Sequence, residues 1–138
     1  MILVDSSIWI DQLCHRETPQ TLAFERLLLA EQDIVVGDLV MMEVLQGTRD
    51  DRSFHAALAH LSGFRRIQIS DGAIAIAAAQ NYRTLRARGV TIRKTIDVLI
   101  ATRCLMDDMP LLYRDRDFDP FVEHFGLRVG LEFASGVN

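Results

Sequence analysis

Four carboxylates stand at positions from which their side chains could share one divalent metal ion. Each follows a predicted strand or lies near the start of a predicted helix: Asp5, Glu43, Asp97 and Asp115. Converging carboxylates repel one another and raise each other's pKa unless a cation lies among them. Ligation by carboxylate oxygens suits Mg²⁺ or Mn²⁺, and Ser7 could hold either a carboxylate or a metal-bound water in place. Zinc is not expected, because these segments contain none of the four histidines: His15, His55, His60 and His124.

Each carboxylate also has a purely structural explanation. Asp5 could cap a helix, and Glu43 could be a solvated helical residue. Asp97, in a first helical turn, would be favoured by the helix dipole. Asp115 and Asp117 could belong to a solvated loop. These explanations are not independent once one sheet edge collects all four segments, and that convergence favours the metal site.

The elements that must position these residues alternate along the chain. Strands are predicted at 2–4, 34–36, 66–69 and 110–113, with a short last strand at 127–129. Helices are predicted at 8–13, 19–29, 39–45, 53–61, 72–88, 96–104 and 121–125. Ser6 or Ser7 is predicted to cap the first helix, and Thr95 the sixth. The alternation predicts an α/β fold with a central parallel sheet between helices. Ligands bind at the carboxyl edge of such sheets.

Size and composition are typical of one folded domain. The 138 residues suit a single domain spanning 1–138, and a hydrophobic content of 49% is ample for a packed core. Apolar runs fall far short of the ~20 residues that span a bilayer, and the N-terminus lacks the pattern of a signal peptide. Cys14 and Cys104 are too few and too distant for a disulfide framework or a zinc cluster. We therefore expect a cytoplasmic protein without a membrane segment.

Charge is unevenly distributed along the chain. The net charge of −4 argues against binding of nucleic acid by bulk charge alone. Residues 83–103 nevertheless contain six basic residues against one acid, Asp97. This window includes Arg86, Arg93 and Lys94, and it predicts a basic lip beside an acidic centre. A solvated helix end is the structural alternative.

Four stretches of the sequence resemble the PIN-domain ribonucleases, and closely the VapC toxins of bacterial type II toxin–antitoxin pairs. They lie at 1–11, 37–47, 93–101 and 111–118, in the order and spacing of that family. The resemblance implies a compact α/β/α sandwich around a parallel sheet. It also implies an acidic catalytic set of Asp5, Glu43, Asp97 and Asp115, of which Asp5, Asp97 and Asp115 would hold the metal. Ser7 and Asp117 would support that set.

By the same resemblance, the protein is expected to cut single-stranded segments of RNA, in tRNA or ribosomal RNA, with Mg²⁺ or Mn²⁺. No histidine is needed as a base, so water rather than the ribose 2′-hydroxyl should attack, leaving 5′-phosphate and 3′-hydroxyl ends. Arg93, Lys94 and Arg86 would contact the RNA backbone. Two departures from the family pattern are Ser6, in place of a commoner threonine, and Tyr113, in place of a small hydroxyl residue or histidine.

The family also implies partners. A VapB-like antitoxin would lay its C-terminal segment along an apolar groove and could insert an arginine into the acidic pocket, because a guanidinium satisfies several carboxylates at once. The early helices could supply that groove through Trp9, Leu13, Leu22, Phe24 and Leu28, although core packing is an equally good use for most of them. A homodimer is expected, since PIN toxins are commonly dimers.

Three other functions fit the sequence less well. A haloacid-dehalogenase phosphatase needs a second aspartate two residues after Asp5, where this chain has Ser7. A receiver domain needs a phosphoacceptor aspartate after a central strand and a lysine near the site, but the sole lysine, Lys94, precedes a helix. A PIN-like module that binds RNA or a partner without cutting is the serious alternative. The complete acidic set argues against it.

Overall fold

A four-stranded, fully parallel sheet forms the centre of the computed structural model, which describes residues 1–136. The strands are β1 (Ile2–Val4), β2 (Ile34–Gly37), β3 (Arg65–Ile67) and β4 (Leu111–Leu112), in the order β3-β2-β1-β4. The apolar run predicted as the first strand is therefore central, and its three side chains are buried. The predicted parallel sheet is confirmed. Its strands carry apolar residues on both faces, and both faces therefore need cover by helices.

Eight α-helices accompany the sheet over residues 1–136. They are α1 (Ser6–Leu13), α2 (Pro19–Leu29), α3 (Asp38–Gln46), α4 (Asp51–Leu61), α5 (Gly72–Ala87), α6 (Thr95–Met106), α7 (Asp119–Phe125) and α8 (Gly130–Ser135). A short 3₁₀ helix, Arg116–Phe118, precedes α7. α1 packs against α2 and α3, and α5 packs against α6. No helix within residues 1–136 combines the length and hydropathy that spanning a bilayer requires.

The register of β1 fixes the edge at which Asp5 leaves the sheet. Leu3 pairs with Val35 on one side and with Leu111 on the other. The Asp5 amide still donates to the Leu112 carbonyl at 2.9 Å, so its backbone remains tied to β4. The carboxyl ends of β1, β2 and β4 consequently meet at one edge, as the fold class requires.

Trp9 locks α1 onto this edge. Its indole Nε1 donates to the Val4 carbonyl at 3.0 Å, and its ring lies 4.8 Å from the Phe64 ring and 5.2 Å from the Phe24 ring, between centroids. Trp9 and Phe24 are fully buried, so the suggestion that they line a surface groove is wrong. Leu22 and Leu28 are exposed, as a groove would require.

Two predicted helix caps are wrong. Neither Ser6 nor Ser7 caps α1. The N-cap is Asp5, whose backbone is extended and whose carboxylate accepts a hydrogen bond from the Ser7 amide. Thr95 lies inside α6, and the residue before the helix is Lys94, which makes no capping bond. Aspartate caps helices as well as serine does, so a polar run before a helix does not by itself identify the cap.

The C-terminal end of the described chain differs from the prediction. The expected strand at 127–129 is reduced to one bridge between Leu111 and Val129, and the unpredicted helix α8 follows at once. Gly130 allows this close approach, since a Cβ there would lie 2.7 Å from the Leu112 amide nitrogen. A side chain at this position would collide with the β4 backbone.

Candidate metal centre

Asp5 is a buried carboxylate with one satisfied and one unsatisfied oxygen. Its Oδ2 accepts from the Ser7 hydroxyl at 3.0 Å and from the Ser7 amide at 3.4 Å. Its Oδ1 is buried and has no hydrogen-bond partner among residues 1–136. Burial raises the pKa of Asp5, and the Ser7 hydrogen bond opposes that rise. An orphaned, buried carboxylate oxygen is costly, and a bound cation would remove that cost.

Asp97 and Glu43 bring two further unpartnered oxygens to the same place. Asp97 Oδ2 and Glu43 Oε1 are buried without hydrogen-bond partners in the described chain. Burial, followed by the charge of Asp5, raises the pKa of Asp97 to about 7. Burial and Asp5 also raise the pKa of Glu43. The carboxylates therefore act on one another, as the sequence prediction required of a converging set.

A second, tighter grouping involves the loop after β4. Asp97, Asp115 and Asp117 each place one carboxylate oxygen so that the three atoms lie within 4.8 Å of one another. Asp115 Oδ1 also accepts from the Asp117 amide at 3.0 Å and thereby caps the 3₁₀ helix. The prediction gave Asp117 only a supporting role, yet its carboxylate stands in this triplet, whereas Asp5 does not.

A cleft of about 300 Å³ contains these carboxylates with the exception of Asp117. It is lined by Asp5, Ser6, Ser7, Ile10, Glu43, Gln46, Lys94, Asp97, Arg114 and Asp115. The four predicted catalytic carboxylates and Ser7 therefore share one depression. Sequence reasoning missed Gln46 and Arg114. Arg114 precedes Asp115 directly, but nothing local in the sequence indicates where its side chain lies.

Two of the three predicted RNA-binding residues pair with acids of the predicted set, and of these two only Lys94 lines the cleft. Lys94 Nζ lies 3.5 Å from Asp115 Oδ2, and Arg93 Nη2 lies 3.4 Å from Asp117 Oδ2. Asp97 raises the pKa of Lys94, which keeps the ammonium charged. Arg86 is not brought to the site, because it is exposed on α5 with its guanidinium 5.7 Å from the centre of the Tyr82 ring.

Tyr113 takes no place in the cleft. Its hydroxyl donates to Asp119 Oδ1 at 2.7 Å, at the start of α7. Burial and that hydrogen bond raise the pKa of Tyr113. The tyrosine that departs from the family pattern therefore anchors the loop after β4 and leaves the acidic site unobstructed.

Comparison with known proteins assigns the chain to a family. The family model described as PIN domain matches residues 2–121. The chain belongs to the PIN-domain family. This PIN domain is 36% identical over 123 residues to VapC ribonuclease Mb1587 of Mycobacterium bovis, covering 86% of the chain and 90% of the relative. Ribonuclease VapC11 of Mycobacterium tuberculosis matches with the same identity and coverage.

Solved structures agree on the fold of this PIN domain. VapBC2 from Rickettsia felis, bound to a DNA fragment from its promoter, matches with a TM-score of 0.73 and 19% identity, over 94% of this chain and 97% of the other. A toxin–antitoxin complex from Klebsiella pneumoniae matches with a TM-score of 0.68 and 20% identity, over 94% and 98%. The resemblance to VapC proteins and the predicted fold class are thus confirmed.

Proposed function

We propose that this protein is the toxin of a type II toxin–antitoxin pair and an Mg²⁺-dependent endoribonuclease, with Mn²⁺ as a substitute and tRNA or ribosomal RNA as substrate. The observation that carries the proposal is the set of three buried carboxylate oxygens without partners in the described chain: Asp5 Oδ1, Glu43 Oε1 and Asp97 Oδ2. All three residues line one cleft. Such a set is stabilised by a hard cation, which prefers oxygen ligands.

The donor set fits a divalent cation. Asp5, Asp97 and Asp115 would hold it, with Asp117 assisting. The Asp97, Asp115 and Asp117 oxygens lie within 4.8 Å of one another, and Asp5 contributes the buried Oδ1 that has no partner among residues 1–136. When bound, the cation would acidify a water and neutralise charge that develops on the phosphate. Ser7 fixes the Asp5 carboxylate through its 3.0 Å hydrogen bond.

Glu43 is the residue suited to move the proton, because it is the one predicted catalytic carboxylate that is not assigned to the cation. Its Oε1 has no partner among residues 1–136, and burial together with Asp5 raises its pKa. A carboxylate with a raised pKa is a better general base near neutral pH. Glu43 Oε1 would therefore take the proton of the attacking water.

Lys94 and Arg93 would bind the phosphate backbone at the cleft. Both are more than half exposed, and their present partners are the carboxylates of Asp115 and Asp117. Exposed ion pairs of this kind are worth little, so these side chains can exchange a carboxylate for a phosphate at small cost.

The partner proposed for this chain is a VapB-like antitoxin. The solved relatives include VapBC2 and another toxin–antitoxin complex. An apolar groove of about 390 Å³ runs between α1, α3 and α4, lined by Ile10, Leu13, Val44 and Ala57 among others. Of the five residues predicted for the groove, Leu13 lies in it. An antitoxin arginine could reach the acidic cleft from there, since Ile10 lines both. Homodimerisation and action in the cytoplasm complete the proposal.

The direct experiment incubates purified protein with total RNA in Mg²⁺ or in EDTA. The wild type should cut in Mg²⁺, while Asp97→Asn should be at least 100-fold slower, as is typical for loss of a group that stabilises developing charge. Asp108→Asn is the matched control, because this carboxylate is 84% exposed and lies outside the cleft. Products should carry 5′-phosphates. Intact RNA across metals and pH, with RNA still bound, would instead indicate a binding module that does not cut.

A further inference from the structure

An arginine outside the predicted set is fixed at the edge of the acidic cleft. Arg114 lies two residues after β4 and directly before Asp115, and its side chain reaches across to α1. There its Nε donates to Asp11 Oδ2 at 2.8 Å and its Nη2 to Asp11 Oδ1 at 3.4 Å. The Asp11 carboxylate is 2% exposed. A buried carboxylate needs a paired cation, so this fork holds the guanidinium in one orientation.

The same guanidinium also lines the cleft. Arg114 stands there with Asp5, Glu43 and Lys94, and its side chain is 47% exposed. Arginine carries five N–H donors in a rigid fork. Asp11 engages the Nε edge of that fork, which leaves the remaining donors for the cleft and the solvent.

Asp11 also pairs with a second arginine, Arg16, through the oxygen that accepts from Arg114 Nη2. Arg16 Nη1 lies 3.4 Å from Asp11 Oδ1, and Arg16 is not among the residues that line the cleft. Two guanidinium groups around one carboxylate give the cluster a net positive charge. Asp11 therefore orients Arg114 without cancelling its attraction for an anion.

We propose that Arg114 binds a backbone phosphate of the RNA next to the bond that is cut, and that Asp11 is a positioning residue for it. This inference rests on the proposed ribonuclease function and deepens it. The carboxylates of the cleft repel a polyanion, so a substrate needs fixed cations close to them. A guanidinium already held in place loses little entropy on binding and can make a bidentate contact with phosphate.

The first test measures binding without cutting. A fluorescent single-stranded RNA is titrated in EDTA with the wild type and with Arg114→Gln, at several salt concentrations. Loss of one phosphate contact should lower the slope of log affinity against log salt by about 0.7 and weaken binding about tenfold. Arg128→Gln is the matched control, because Arg128 has the same 47% exposure and pairs with Asp108 away from the cleft.

Further variants separate positioning from mere support of the fold. Arg114→Lys keeps the charge and loses the fork, so it should retain the salt slope but bind more weakly than the wild type. Asp11→Asn should weaken binding in the same direction. In cleavage, Arg114→Gln should raise KM about tenfold and change kcat much less. KM can be measured only if the protein cuts RNA, whereas the affinity in EDTA can be measured whether or not it cuts.

The outcomes separate the two proposals. An unchanged slope and affinity in Arg114→Gln would overturn the role of Arg114, as would an equal loss in Arg128→Gln. If Arg114→Gln fails to fold, a wild-type affinity in Arg114→Lys overturns it instead. A slope that falls in Arg114→Gln, in a protein that leaves RNA uncut, would uphold the phosphate contact while the ribonuclease proposal fails.

Discussion

Replacing Asp97 by asparagine should stabilise the metal-free protein at pH 8. Burial and the charge of Asp5 raise the pKa of Asp97 from 3.8 to about 7. Between pH 3.8 and about 7 the folded state therefore keeps a proton that the unfolded state has released. The free energy of unfolding of the wild type falls as the pH rises through this range. At about 1.36 kcal/mol per pKa unit, the full shift would lower the free energy of unfolding of the wild type by about 4 kcal/mol at pH 8. Water screens the open cleft, so we expect a gain of about 2 kcal/mol from Asp97→Asn.

Urea unfolding in EDTA measures this gain directly. The free energy of unfolding of Asp97→Asn should exceed that of the wild type at pH 8. The excess should be less than half as large at pH 5, where much of the destabilising charge is already protonated. With saturating Mn²⁺ the order should reverse, because the wild type gains binding free energy that the variant lacks. A variant less stable than the wild type in EDTA at pH 8 would show that the Asp97 charge stabilises the fold, and would refute the argument.

Three further predictions follow from named contacts. Asp5→Asn should reduce the rise in Tm that Mn²⁺ produces, while Asp108→Asn leaves it unchanged; an undiminished rise in Asp5→Asn would mean that Mn²⁺ binds elsewhere. Lys94→Gln should lower the salt slope of RNA binding by about 0.7, measured by fluorescence anisotropy, and a wild-type slope would remove Lys94 from the interface. Gly130→Ala should cost about 1–3 kcal/mol of unfolding free energy, because its Cβ would lie 2.7 Å from the Leu112 nitrogen; wild-type stability in urea would contradict that close approach.

The central sheet could be predicted because its signal is local. The run Ile2–Val4 is apolar at every position, and only a strand covered on both faces satisfies that pattern. Strand polarity then places Asp5 and Asp115 at one edge, whatever the details of the loops. The α8 helix escaped prediction because it depends on a contact distant in sequence, the packing of Gly130 against Leu112.

The site shows the same division between local and distant signals. Asp5, Glu43 and Asp97 could be placed from their positions on strands and helices, without knowing which oxygens remain unpartnered. Arg114 could not, because its orientation comes from Asp11, 103 residues away in sequence. A charged residue inside the apolar stretch of α1 was the available signal. Such a residue is rarely buried unless it is paired, so Asp11 indicated a basic partner without identifying which residue it is.

Trp9 illustrates why an apolar residue on a surface helix is ambiguous. Its helical spacing fits both a docking groove and the core, and only the hydrogen bond to the Val4 carbonyl and the ring packing with Phe24 and Phe64 decide for the core. That bond also fixes the strand from which Asp5 emerges. Trp9 therefore helps to position the site and does not form part of a surface that a partner could contact.

The measurement that tests the central claim most directly compares Mn²⁺ binding with RNA cleavage on the same preparation. Calorimetry gives the Kd for Mn²⁺, and cleavage rates at increasing Mn²⁺ give the concentration for half-maximal activity. One acidic site predicts that the two values coincide for the wild type and for Asp108→Asn, and that Asp5→Asn and Asp115→Asn weaken both together. Cleavage that persists in EDTA, or metal binding that is lost without loss of cleavage, would contradict the account.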